Sequence, residues 1–163
     1  MNFESTLNNN EKQEDKISKE EMITKLGSEL HDEWRESRKQ EDGSYEPRIK
    51  TTKDEDWINE KGANEVDIAN TCFENLPRDW QGENRVAAEI AIEEVFRAVD
   101  MGTELDESFI EEASNVIHQK WLERNGEWAS EELKKPYDEL SEEEKDKDRA
   151  QIEKAIEIFQ EKR

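Results

Sequence analysis

The chain has 163 residues, 31% of them hydrophobic and 42% charged, and carries a formal net charge of -21. So acidic a composition excludes the basic patch that direct nucleic-acid binding needs to release phosphate counterions. No apolar run reaches the ~18 residues of a membrane-spanning helix, and a single cysteine, Cys72, excludes an internal disulfide and a cysteine-based metal site.

Low apolar content with high net charge leans toward disorder. Here, however, the apolar residues collect at helical spacings, and five Trp and five Phe bring large buried areas. A thin folded core is therefore expected, as one domain or two small modules packed as one. Residues 1–17 are polar, with no apolar period, and read as a disordered tail; they lack the basic start and apolar stretch of a secretion signal, which points to the cytoplasm.

Ser18 and Glu21 form a capping-box pattern. Behind it Met22, Leu26, Leu30 and Trp34 fall four apart, predicting a helix to about residue 37. The stretch from Lys39 to Asn75 is irregular: Asp42-Gly43 signals a turn, Tyr45 to Ile49 reads as an extended arm, and Thr52 is expected to cap a short helix carrying Trp57 and Ile58 that ends at Gly62. From about Pro77 to Met101 a long helix is expected, with Ala88, Ile92, Val95, Phe96 and Val99 on one side and Gly102 stopping it. Asp106 is placed to cap the next helix, in which Ile110, Ala113, Ile117 and Trp121 recur until Gly126. After a loop with Trp128 and Pro136, Ser141 and Glu144 start a last helix bearing Ile152, Ala155, Ile156 and Phe159. The fold class is thus mostly α, with at most short β-hairpin arms.

The chain also repeats itself. Leu30-His31-Asp32-Glu33-Trp34-Arg35-Glu36 matches Ile117-His118-Gln119-Lys120-Trp121-Leu122-Glu123. Phe73-Glu74-Asn75-Leu76 matches Tyr137-Asp138-Glu139-Leu140, and the match continues through Arg85/Arg149, Glu89/Glu153, Ala91/Ala155, Ile92/Ile156 and Glu93/Glu157. Each copy reads as a helix with His-x-x-Trp, an irregular arm, an aromatic-acidic-x-Leu turn and a second helix with an early Arg. The first arm is longer by about 23 residues, the difference between the two alignment offsets. The copies occupy 18–102 and 103–163.

The second copy, with His118-Gln119-Lys120-Trp121, Lys135-Pro136-Tyr137-Asp138-Glu139-Leu140 and Asp148-Arg149, resembles the ryanodine-receptor repeat. The resemblance is weaker over 22–100, where Phe73 replaces the motif Tyr, Cys72 the Pro, and Asn84-Arg85 the Asp-Arg. It implies a tandem pair with pseudo-two-fold symmetry, a peripheral cytoplasmic module of the free-standing bacterial or phage kind, and no catalytic activity.

The ligand-binding candidates are His31, Trp34, Tyr45, Arg48, Arg85, His118, Trp121, Tyr137 and Arg149. Each His lies three residues before a Trp, so imidazole and indole share a helix face, either lining a cleft common to both copies or packing beside a core Trp. Arg85 and Arg149 are suited to clamp a phosphate or carboxylate in two-point fashion, or to tie their helix to the acidic turn before it. Tyr45 and Arg48, like Trp57 and Trp80, offer stacking surfaces or core filling. No second histidine completes a His-Glu-x-x-His zinc pattern, and the acidic run 138–148 lacks the glycine and alternating oxygens of an EF-hand. No metal or cofactor is expected. Cys72 has no histidine near in sequence, and no nucleophile elbow or glycine-rich phosphate loop occurs.

The expectation is therefore a binding protein rather than an enzyme. It would recognise a small anionic, nucleotide-like ligand or a protein partner at the repeat interface; as the alternative, its carboxylate surface, in the manner of a nucleic-acid mimic, binds a basic partner. Solubility alone is the plain explanation of the charge.

Overall fold

In the computed structural model, residues 18–161 are described; the tail expected over 1–17 lies outside them. The elements among them run α1 (Lys19–Glu36), β1 (Ile49–Thr51), α2 (Glu55–Lys61), β2 (Glu65–Asp67), a 3-10 turn at Phe73–Asn75, α3 (Arg78–Asp100), α4 (Glu107–Asn125), a second 3-10 turn at Tyr137–Glu139 and α5 (Glu142–Glu161). Among the described residues the protein is mostly helical, with one two-stranded antiparallel sheet in the first arm, its strands joined through α2. Its register pairs Ile49 with Asp67, Lys50 with Val66 and Thr51 with Glu65.

Helix starts follow local chemistry. The Ser18 hydroxyl accepts from the Glu21 amide at 3.1 Å and the Ser141 hydroxyl from the Glu144 amide at 3.2 Å, each supplying an acceptor to a first-turn donor that has no partner within its helix. The Asp106 carboxylate does the same for Phe109 at 3.0 Å. The cap of α2 is Asp54, not Thr52: the Asp54 carboxylate accepts from the Trp57 amide. Thr52 is buried instead and donates its hydroxyl to Asp79 at 2.6 Å. Asp54, two residues closer and directly before the helix, supplies the cap, and Thr52 stitches the arm to α3. Gly62 and Gly102, at φ 75° and 74°, take the left-handed conformation beyond the ends of α2 and α3 that a side chain would resist.

The chain divides into two compact units. One is Thr24–Ala88; the other combines, among the described residues, 18–23 with 89–161. The division falls within α1 and α3, whereas the sequence repeat divides at Gly102, so compact unit and repeat are different partitions of the chain. In Thr24–Ala88 the core gathers Val66, Phe73 and Leu76, with Trp57, Ile68 and Trp80 packed against it. Trp57 and Trp80, read from the sequence as stacking surfaces or core filling, pack against this core and brace the arm: their indole N–H groups donate to the carbonyls of Asn75 and Thr51, both at 2.9 Å. In the other unit α4 and α5 pack along each other. Phe109, Ala113, Ile117, Ile152, Ala155, Ile156 and Phe159 are buried there, and Phe96 meets Phe159 edge-on at 5.2 Å.

Candidate functional site

The His-x-x-Trp motifs build the same local geometry in each unit. One helical turn brings the i and i+3 rings onto one face. His31 and Trp34 stack at 5.8 Å with planes 21° apart, and His118 and Trp121 at 6.3 Å with planes 12° apart. Both imidazoles are buried, with 3% and 5% exposure, so each needs a hydrogen-bond partner. His31 Nε2 donates to the carbonyl of Thr71 at 2.8 Å; His118 Nε2 donates to the carbonyl of Lys135 at 2.7 Å. Thr71 precedes Phe73 by two residues, as Lys135 precedes Tyr137. The histidines thus staple each helix to the backbone leading into its aromatic turn.

Those turns coincide as well. Phe73 and Tyr137 each begin a 3-10 turn, are nearly fully buried, and are followed by a buried Leu76 or Leu140. The early Arg of the following helix reaches back to the first helix at matching positions: Arg85 to the Thr24 hydroxyl at 3.4 Å, and Arg149 to both oxygens of Glu111 at 2.7 and 2.8 Å. Thr24 precedes His31 by as many residues as Glu111 precedes His118. His, Trp, aromatic turn and Arg contacts thus fall at matching positions in the two segments.

The electrostatics of the copies differ. Arg149 also binds Glu142 and Asp146, each at 2.8 Å, and Tyr137 donates its hydroxyl to Glu111 at 3.2 Å. The Arg149 guanidinium holds the carboxyls of Glu111 and Glu142 below their ordinary range, and these three carboxylates keep Arg149 firmly charged. Burial, then the Glu111 charge, pushes the Tyr137 phenol up. In the other copy Phe73 has no hydroxyl and Thr24 no charge. The Gly27 Cα approaches the Phe73 ring so closely that a Cβ there would sit 2.9 Å from Cζ. The position equivalent to Gly27 is Ser114, which is fully buried.

The remaining candidates lie on the first arm. Tyr45 donates its hydroxyl to Glu36 at 2.8 Å, a bond that raises its phenol, and the Arg35 guanidinium covers its ring at 4.6 Å. Arg48 is exposed, and its backbone amide donates to Asp67 at 3.0 Å. The structure therefore brings His118, Trp121, Tyr137 and Arg149 into one unit and His31, Trp34, Tyr45, Arg48 and Arg85 into the other.

Sequence reasoning passed over Glu111, Glu142 and Asp146, because one carboxylate among so many carries no signal of its own. Extending the His31/His118 alignment backward to Thr24/Glu111 would have found the first of them. Also passed over was what lies on the Trp rings. The Arg38 guanidinium sits over Trp34 at 5.3 Å, whereas Trp128 meets Trp121 edge-on at 5.9 Å. Among the described residues no group of three or more His, Cys, Asp and Glu side chains is placed to hold a metal ion, and no helix is long and apolar enough to cross a membrane. Comparison with protein-family models, with curated proteins and with solved structures gives no match for this chain.

Proposed function

We propose that this protein is a non-catalytic, cytoplasmic interaction module, built from two diverged ryanodine-receptor-repeat-like motifs, that uses its carboxylate surface to bind a basic protein partner. The observation that carries the choice of partner is the saturation of Arg149, the guanidinium best placed for an anion in the second copy. The Arg149 guanidinium is held by Glu111, Glu142 and Asp146, so a phosphate would have to displace three carboxylates to reach it. Both histidines spend Nε2 on backbone carbonyls. A small anionic ligand would also approach against a net charge of -21, which instead steers and retains cations. The ryanodine-receptor-repeat reading is supported by the paired His-x-x-Trp staples and aromatic turns of the two units.

Thermal unfolding of the purified protein tests this against arginine- and lysine-containing peptides, nucleotides, cyclic nucleotides and divalent metals. A ligand present at about 100 times its Kd adds roughly 2.7 kcal/mol, a rise of several degrees in a chain of this length. Basic peptides are expected to raise the midpoint, with the effect fading as salt shortens the screening length. A rise with a nucleotide that disappears in Arg149→Ala would overturn the proposal in favour of a small anionic ligand.

A further inference from the structure

Each His-x-x-Trp motif leaves one more place on its indole, and the two copies fill it differently. In the first, the place is taken by a cation from the chain itself. Arg38, four residues after Trp34, lays its guanidinium over the ring. It is held there by the first arm, donating Nε to the Glu46 carbonyl at 3.2 Å and Nη2 to the Pro47 carbonyl at 3.3 Å, with the Glu46 carboxylate at 3.7 Å. Cation, aromatic face and anchoring carbonyls form a complete set.

The second copy lacks that set. The position equivalent to Arg38 is Asn125, which is buried and donates to the Trp121 carbonyl at 3.1 Å. The arm that would supply Glu46 and Pro47 is absent from the shorter connection. Trp128 takes its place, set at 69° to Trp121 and 71% exposed. It is the only aromatic among the exposed large hydrophobic residues described. Its neighbourhood is acidic: from Glu123 to Glu132 the carboxylates of Glu123, Glu127, Glu131 and Glu132 face one cation, Arg124. Lys120 and Lys134, at the edges, pair with Glu123 at 3.8 Å and Glu131 at 3.4 Å. Glu127 and Glu132, one and four residues from Trp128 in the chain, are exposed.

We infer that the Trp121–Trp128 pair is a docking platform for an arginine side chain presented by a basic protein partner, whose guanidinium would lie on the exposed Trp128 indole as that of Arg38 lies on Trp34. A guanidinium is planar and weakly hydrated, so it stacks on an indole face and still offers its N–H groups to carboxylates at the rim; an ammonium of the same charge does this less well. Exposed Trp and Arg also rank among the residues that most often dominate interface energetics. The inference deepens the proposed function by placing the basic partner on one surface.

The test uses the full chain and two synthetic peptides of equal charge, Gly-Arg-Gly-Arg-Gly and Gly-Lys-Gly-Lys-Gly, titrated by calorimetry at low salt. Variants are Trp128→Leu, which keeps apolar bulk, and Trp128→Phe, which keeps a ring; because Trp128 is exposed, both are expected to unfold at the wild-type temperature. The arginine peptide is expected to bind more tightly than the lysine peptide, to weaken at least about threefold in W128L, and to be largely retained in W128F. Equal binding of the arginine peptide to wild type and W128L overturns the platform while leaving the acidic-surface reading intact. Absence of binding of either peptide to wild type overturns both.

Discussion

Around Phe73 the aromatic turn is closed by hydrocarbon, and around Tyr137 by charge. Phe73 lies against the bare Cα of Gly27, and at the position of Glu111 Arg85 meets the Thr24 hydroxyl. Tyr137 gives its hydroxyl to Glu111, which in turn takes two bonds from Arg149. The substitutions are coordinated: phenol, carboxylate and side chain at the Ser114 position occur together in one copy and are missing together in the other. This is how a buried phenol has to be gained or lost, because left without its acceptor it costs more than the whole set removed. The backbone geometry of the turn is indifferent to the choice, since in both copies it is fixed by the His staple and the following Leu.

Transplanting residues between copies breaks this comparison where it is wrong. The largest effect is expected for Gly27→Ser, which imports the residue of the second copy. Its Cβ would press on Phe73 Cζ, and the ring, 2% exposed, has no open space to retreat into. A loss of ~1–3 kcal/mol is expected, seen as a fall of several degrees in the unfolding midpoint. An unchanged midpoint would mean that Gly27 is not what seats Phe73.

Next in size is a double-mutant cycle on Glu111→Thr and Tyr137→Phe, which installs the chemistry of the first copy in the second. Each single change is expected to cost about 1–2 kcal/mol by stranding a partner, and the double change to cost less than the sum by at least ~0.5 kcal/mol. Additive losses in chemical denaturation would deny the coordination. The carboxyl of Glu111 is depressed in the folded state, so its contribution is present above its ordinary pKa of 4.5 and is lost as pH falls through the folded value. The cost of Glu111→Thr should accordingly shrink in acid.

The smallest effect concerns Asp148, which stands where the first copy has Asn84. Burial, reinforced by Glu144 and only partly offset by Lys147, pushes its carboxyl up from 3.8 to about 7. A raised carboxyl has the opposite sign to Glu111: below about pH 4 it is protonated folded or unfolded and costs nothing, and the penalty grows as pH rises to about 7. Asp148→Asn is therefore expected to be nearly silent at pH 3.5 and to stabilise by ~1 kcal/mol at pH 8. A gain at both pH values would show that the charge is not its source.

Much of this was legible before any tertiary contact was known. Met22, Leu26, Leu30 and Trp34 placed α1, the caps at Ser18, Asp106 and Ser141 fixed three helix starts, and Gly102 ended α3, because capping and amphipathic spacing are local in the chain. Thr52 was misjudged as the cap of α2 because its value depended on Asp79, far off in sequence, which claims its hydroxyl. The strand pair of the arm was legible only as an extended segment, since Val66, which pairs with Lys50, lies across an intervening helix. Of the candidate site, the shared spacing of His31 and His118 was plain, but their role was not: the carbonyls of Thr71 and Lys135 are backbone atoms that every residue owns.

The class of the fold, the internal sequence matches and the acidic field all follow from composition, periodicity and self-alignment. What only the tertiary structure decided is how each polar group is spent: Arg149 on three carboxylates, the histidines on backbone carbonyls, and Arg38 on the indole whose counterpart, Trp121, adjoins an exposed Trp128. The physical reason is reach. A helix cap or an apolar stripe is settled within a turn or two of chain, whereas a buried donor or charge is satisfied by whichever acceptor the folded chain brings within about 3 Å.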